Sequence, residues 1–174
     1  MKNYLCTALV LSLMTAGTVS AQSWAPAGDR IRTAWAEEVT PENVHKEYPR
    51  PQMVRPDWKS LNGLWEYSIT PKNAVVPERF DGQILVPFAV ESSLSGVGRT
   101  FTPEDALWYR TTFRVPSAWK GKRLLLNFEA VDWQADVIVN DVQVGRHTGG
   151  YTHFSFDITP YLKSGDNTLV VRVE

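Results

Sequence analysis

From Asn62-Gly63 onward the apolar side chains recur at every second residue, in short runs broken by turn residues. Trp65, Tyr67 and Ile69 alternate with Glu66 and Ser68; Tyr109, Thr111, Phe113 and Val115 alternate with Arg110, Thr112 and Arg114; Phe154, Phe156 and Ile158 alternate with Ser155 and Asp157. A strand sends successive side chains to opposite faces, so each run is expected to be a half-buried strand. "RLLLNF" at 123–128 and "LVVRV" at 169–173 are more continuously apolar, which fits strands covered on both faces or central in a sheet. Pro71, Asp81-Gly82, Gly96, Gly98, Lys120-Gly121, Asn140-Asp141, Gly149-Gly150 and 164–167 supply the turns. About eight short strands with no helical run between them predict an all-β antiparallel sandwich, not alternating strands and helices. No internal repeat or low-complexity tract interrupts the pattern.

Ahead of the strands, residues 22–57 are rich in proline and charge. "TPENVHKEYPRPQMVRPDW" holds four prolines, each lacking an amide donor and fixing its own φ, so an extended arm over the surface is expected. A short helix is expected over 29–38, where Ile31, Ala34 and Trp35 fall at helical intervals.

Residues 1–21 have the layout of a secretory signal peptide: Lys2, an apolar run from Leu5 to Met14, and Val19-Ser20-Ala21 as a small-x-small cleavage site. The run is far shorter than the roughly 20 apolar residues of a membrane-spanning helix. Export to the periplasm or the medium is the expectation, with no membrane association once the leader is removed. Cys6 leaves with it, so the remainder has no disulfide, thiolate nucleophile or cysteine-bound zinc. Removing the leader also takes Lys2 from 18 basic against 19 acidic residues, leaving a net charge of −2 with the signs interspersed. Nothing in that balance attracts nucleic acid or an anionic membrane.

The stretch "VDWQADVIVNDVQVGRHTGGYTHFSFDIT" at 131–159 concentrates Asp132, Asp136, Asp141, His147 and His153. A glycoside-cleaving pair of carboxylates must flank the scissile bond about 5–10 Å apart, one with a raised pKa, and closeness in sequence does not provide this. Alternation along 134–140 sends Ala135, Val137 and Val139 one way and Asp136, Ile138 and Asn140 the other, making Asp136 a polar residue near a strand edge or rim. Asn140-Asp141 suits the two-residue loop of a tight hairpin. His147 and His153, six apart across two glycines, match no short zinc spacing. No metal or cofactor is expected. His153 alternates with Phe154 and so faces away from the core, while Trp133 and Tyr151 stand where their rings could meet a ligand or a neighbouring domain.

From about residue 58 to the end, five blocks in order carry a resemblance: "LNGLWEYSI" at 61–69, "ILVPFAVESSLSGVG" at 84–98, "LWYRTTFRVP" at 107–116, the stretch from 131 to Leu162, and "NTLVVRVE" at 167–174. Together they resemble the N-terminal sugar-binding domain of glycoside hydrolase family 2, which includes bacterial β-galactosidases and β-glucuronidases. The arm also resembles the lead-in of secreted members.

The resemblance implies a galactose-binding-like jelly-roll domain at 58–174, preceding an immunoglobulin-like domain and a barrel that carries both catalytic glutamates. A barrel of that kind takes about 250 residues. None of Glu66, Glu78, Glu91, Glu104, Glu129, Asp132 or Asp136 is then a catalytic carboxylate, and the chain reads as a fragment of a larger exported exo-β-glycosidase, inactive alone. β-Galactosidases of the family can place an Asn two residues beyond the Val-Pro pair; Ala89 stands there, leaving Glu91 and Ser92 as the nearest polar substitutes. The family's other rim residue is an acid just after the last strand, where this sequence stops. Trp133, Tyr151 and His153 complete the expected substrate rim, with β-linked carbohydrate as the partner. Two alternatives are a stand-alone carbohydrate-binding module with Trp133 and Tyr151 as a stacking platform, and an interaction domain without ligand.

Overall fold

The computed structural model describes residues 24–29 and 31–174; the expected leader lies outside the described residues. Eight strands follow one another: β1 (Gly63–Pro71), β2 (Gly82–Val86), β3 (Asp105–Arg114), β4 (Leu125–Phe128), β5 (Gln134–Val139), β6 (Val142–Thr148), β7 (Phe154–Asp157) and β8 (Asp166–Val173). Six form one sheet in the order β2-β1-β3-β8-β5-β6, and β4 and β7 form a second, with every pairing antiparallel. The all-β sandwich expected from the alternation is the observed fold.

The last strand lies in the middle. β8 pairs with β3 on one side and β5 on the other, which places Tyr67, Tyr109, Val171, Val137 and Gly145 in one row across five strands. This row belongs to the core face, with Trp65, Leu107, Ala135, Val139, Leu169 and Val173 beside it. Fully burying a Val, Leu or Ile contributes about 1.5–3 kcal/mol each, so this apolar face is the main support of a fold without disulfides. The two-stranded sheet brings Leu126 to the core, with Phe128, Phe154 and Phe156 packed against it, and the loop between β2 and β3 adds Val90, with Val97 and Phe101 alongside. Gly145 sits under Phe156; a Cβ there would collide with the ring.

The Asn140-Asp141 hairpin forms as expected, with φ of 49° and 68° and Val139 paired with Val142. Val144 is the extra residue of a bulge on β6, between the pairs Val137–Gly145 and Ile138–Gln143. At the loop of the hairpin, buried Asn167 ties that turn to the one before β8. Its Oδ1 accepts from Asn140 Nδ2 at 2.8 Å and Lys163 N at 2.9 Å, and its Nδ2 donates to the Lys163 and Gly165 carbonyls.

Three expectations are corrected. β4 is not covered on both faces: Leu125 is 50% exposed, because β4 lies in a two-stranded outer layer. The helix expected over 29–38 is only a 3-10 turn, Ala34–Glu38; Ile31 and Trp35 are exposed while Ala36 is buried. Asp136 is not at a rim, since β5 runs between β8 and β6 and the residue is 6% exposed. Part of the lead-in packs against the start of β1. Asn62 Nδ2 donates to the His45 carbonyl at 2.9 Å, Lys46 Nζ donates back to the Asn62 carbonyl, and Val44 is buried.

Candidate functional site

The five rim candidates fall in two places. Glu91 and Ser92 lie on the loop between β2 and β3, which leaves β2 through a cis Val86–Pro87 bond. Ser95, fully buried, organises this loop: its hydroxyl donates toward the Ser92 and Val90 carbonyls and accepts from the amides of Val97 at 3.0 Å and Gly98 at 3.3 Å. Ser92 caps the 3-10 turn Ser93–Ser95; its Oγ donates to the Ala89 carbonyl at 2.7 Å and accepts from Ser95 N at 3.2 Å. Its one hydroxyl proton is thus committed, so toward a sugar Ser92 can act only as an acceptor. The Glu91 carboxylate lies near Tyr109 on β3. Burial, and after it the charge of Glu91, push the Tyr109 phenol above its ordinary range, so it keeps its proton.

The second place is the corner where β5 starts and β6 ends. Trp133 N and Gln134 N both donate to the Glu174 carbonyl at 3.2 Å, and Gly149 N donates to the Trp133 carbonyl at 2.7 Å. The chain segments carrying Trp133 and Tyr151 are therefore adjacent, and both rings are open to solvent, at 57% and 96% exposure. Gly150 accommodates the Asp132 carboxylate, which would collide with any Cβ there. His153 is exposed in the same turn. Sheet spacings of about 4.8 Å between strands and 3.4 Å per residue put the backbones of Tyr109, which Glu91 lies near, and Trp133 roughly 17 Å apart, so the loop and the corner are separate places on the domain.

His147 has a packing role. Its ring stacks on Phe154 with centroids 4.1 Å apart, and Nε2 donates to the Gly149 carbonyl at 3.1 Å, with the Thr152 hydroxyl at 3.3 Å. Among the described residues no group of three or more His, Cys, Asp or Glu is placed to hold a metal ion.

Sequence reasoning missed the polar ladder on the sheet's outer face. Ser68, Trp108, Arg172, Asp136 and Arg146 stand in register across five strands. The Arg172 guanidinium lies 5.5 Å from the centre of the Trp108 ring and 3.5 Å from Asp136, which also accepts from Gln143 at 2.9 Å. Arg172 pairs with Glu174 as well, whose other oxygen is 3.4 Å from Lys72. One strand pair away, Arg110 holds Glu66 through two bonds of 2.6 and 3.0 Å and covers the Phe80 ring. Outward alternation marked Asp136 alone, while Arg172 sat unremarked in an apolar run, and that β8 would lie beside β5 left no local signal.

Hydrogen bonds and ion pairs lower the pKa of several carboxylates. Asp57, Asp105, Asp157, Asp166 and Glu47 are all held below their ordinary pKa, chiefly by hydrogen bonds, Asp157 down to about 2. Burial alone would raise Glu174, but the hydrogen bond and charge of Arg172, with Lys72, outweigh it and the net shift is downward. A general acid for glycoside cleavage needs the opposite shift.

With an antiparallel sandwich and the places of the five candidates established, comparison with known proteins decides the family. The profile of the sugar binding domain of glycosyl hydrolases family 2 matches residues 58–174. The chain belongs to that family. A β-glucuronidase of Paenibacillus borealis is 32% identical over 132 residues, covering 72% of this chain and 22% of that protein. The β-galactosidase BoGH2A of Bacteroides ovatus is 42% identical over 81 residues, covering 46% of the chain and 10% of that protein. Among solved structures, a β-glucuronidase of Lactobacillus rhamnosus superposes with a TM-score of 0.53 at 31% identity, over 66% of this chain and 20% of that one. This family 2 sugar-binding domain therefore spans about a fifth or less of the enzymes it resembles.

Proposed function

We propose that the chain is the non-catalytic leading domain of an exported retaining exo-β-glycosidase, acting on β-galactosides or β-glucuronides. In this reading it adopts the jelly-roll form of its family, and an immunoglobulin-like domain and a barrel with the two catalytic glutamates follow it. Residues 1–21 direct export to the periplasm or the medium. The observation that carries the reading is the family match over 58–174 in a chain spanning only 22% of a β-glucuronidase relative. The lowered carboxylates, Asp157 and Glu174 among them, are not poised to protonate a leaving group, which suits a scaffold role. Glu91, Ser92, Trp133, Tyr151 and His153 would then contribute to the rim of a pocket completed by the barrel.

The test is to read the coding frame past Glu174 and assay both products with p-nitrophenyl β-D-galactoside and β-D-glucuronide. The expected result is hydrolysis by the longer product and none by the present chain. A stop codon directly after Glu174, or hydrolysis by the chain itself, would overturn the reading.

The exposed rings of Trp133 and Tyr151 favour a second reading, in which the domain also binds sugar unaided. Saturable binding of galactose or glucuronate to the isolated chain, abolished in Trp133→Ala, would support it.

A further inference from the structure

We propose that residues 24–27 form a strap that locks the loop carrying Glu91 and Ser92, with Trp24 as the positioning residue. Four contacts join two segments almost seventy residues apart. Ala27 N donates to the Ser93 carbonyl at 2.8 Å, and Ser93 Oγ donates back to the Ala27 carbonyl at 2.7 Å. The indole edge of Trp24 lies against Gly96, where a Cβ would stand 2.8 Å from both Cδ1 and Nε1, and a Cβ on Gly98 would approach the Ala27 methyl to 3.1 Å. Both glycines have positive φ, 79° and 63°, so the loop turns where only glycine fits both the backbone and the strap.

Trp24 Nε1 is also buried without a hydrogen-bond partner among the described residues. Its ring is therefore held by shape and not by its polar atom, since an unpaired buried donor opposes docking. That separates filling space from making a bond. A phenyl ring should serve as well as indole, whereas a methyl should not. Fixing the loop also fixes Ser92, whose cap depends on the Ser93–Ser95 turn, and Glu91 beside Tyr109. The relevance of those two residues to a sugar rests on the function proposed above.

The test is amide hydrogen exchange on the chain lacking its leader, compared with Trp24→Ala, Trp24→Phe and a form beginning at Gly28. The reporters are the amides of Val97 and Gly98, which donate to Ser95 Oγ, and of Arg99, which donates to the Val90 carbonyl at 3.2 Å. The expected result is exchange at least tenfold faster at these three amides in Trp24→Ala and in the shortened form, with β8 unchanged and Trp24→Phe close to the parent. Unchanged exchange in Trp24→Ala, equal acceleration in β8, or failure of Trp24→Phe to restore protection would each overturn the strap. In the longer enzyme, Trp24→Ala should raise KM for the glycosides it cleaves and leave kcat in place. Faster loop exchange with KM unmoved would retain the strap and remove the loop from the sugar rim.

Discussion

Asp136 on β5 accepts two hydrogen bonds from the Arg146 guanidinium on β6, its directly opposite neighbour, at 2.6 and 2.8 Å. On its other side Asp136 faces Arg172. The carboxylate is therefore the shared anion of two arginines. Asp136→Ala should leave the nearly buried Arg172 without that partner and cost roughly 3 kcal/mol. Arg146→Ala should cost less, because Arg146 is half exposed and Asp136 keeps Arg172 and Gln143. Urea unfolding checks the order: the midpoint should fall further in Asp136→Ala, with an unchanged slope.

Asn167 predicts a loss of another kind. It is completely buried and makes four hydrogen bonds linking the Asn140-Asp141 hairpin to the turn before β8. Asn167→Ala should strand the Lys163 amide, remove one of the three bonds of the Asn140 side chain and destabilise the chain by about 3 kcal/mol. Asn167→Asp keeps both acceptor interactions but turns an oxygen toward the Lys163 and Gly165 carbonyls and buries a charge, so at pH 7 it should lower the thermal midpoint at least as far as Asn167→Ala.

Gly145 and Phe156 predict a coupling. Gly145→Ala places a methyl in the ring and should cost about 1–3 kcal/mol through overpacking. In Phe156→Leu the space opens, so adding Gly145→Ala should cost markedly less than in the parent. Additive losses in a double-mutant cycle would contradict this contact.

The pH dependence has a defined sign at Asp157. The Thr159 hydroxyl and backbone amide and the Arg123 guanidinium hold its pKa at about 2, below the ordinary 3.8. A depressed carboxylate stabilises the folded state above its unfolded pKa, and that contribution is lost as pH falls from about 4 through 2. The stability difference between the parent and Asp157→Asn should therefore shrink across that window and stay level from pH 5 to 7. Carboxyl NMR should place the Asp157 midpoint near 2.

Trp133 and Tyr151 should separate stability from function. Their exposure predicts that alanine at either position leaves the urea midpoint in place. In the longer enzyme the same changes should raise KM if the corner touches substrate, as the proposed function requires.

Much of the fold was legible because burial imprints itself locally. A half-buried strand must alternate, and the Asn140-Asp141 loop needs residues that tolerate positive φ, so strands and hairpin could be placed from single residues. What escaped depends on distant partners. "RLLLNF" is apolar enough for a central strand, yet β4 received one strand neighbour and exposes Leu125. Asp136 resembled a surface acid because nothing nearby in sequence shows Arg172 beside it. Trp24 is a further case: only the folded loop reveals the Gly96 surface it covers.

The central place of β8 has a consequence for how the chain acquires its shape. Until 166–173 are available, β2-β1-β3 and β5-β6 are two separate ribbons, with Leu107, Tyr109, Ala135 and Val137 lacking the strand that unites them. During N-to-C synthesis the sheet can close only when nearly the whole domain has emerged, so this unit should complete its folding after translation of Glu174 and not in step with it.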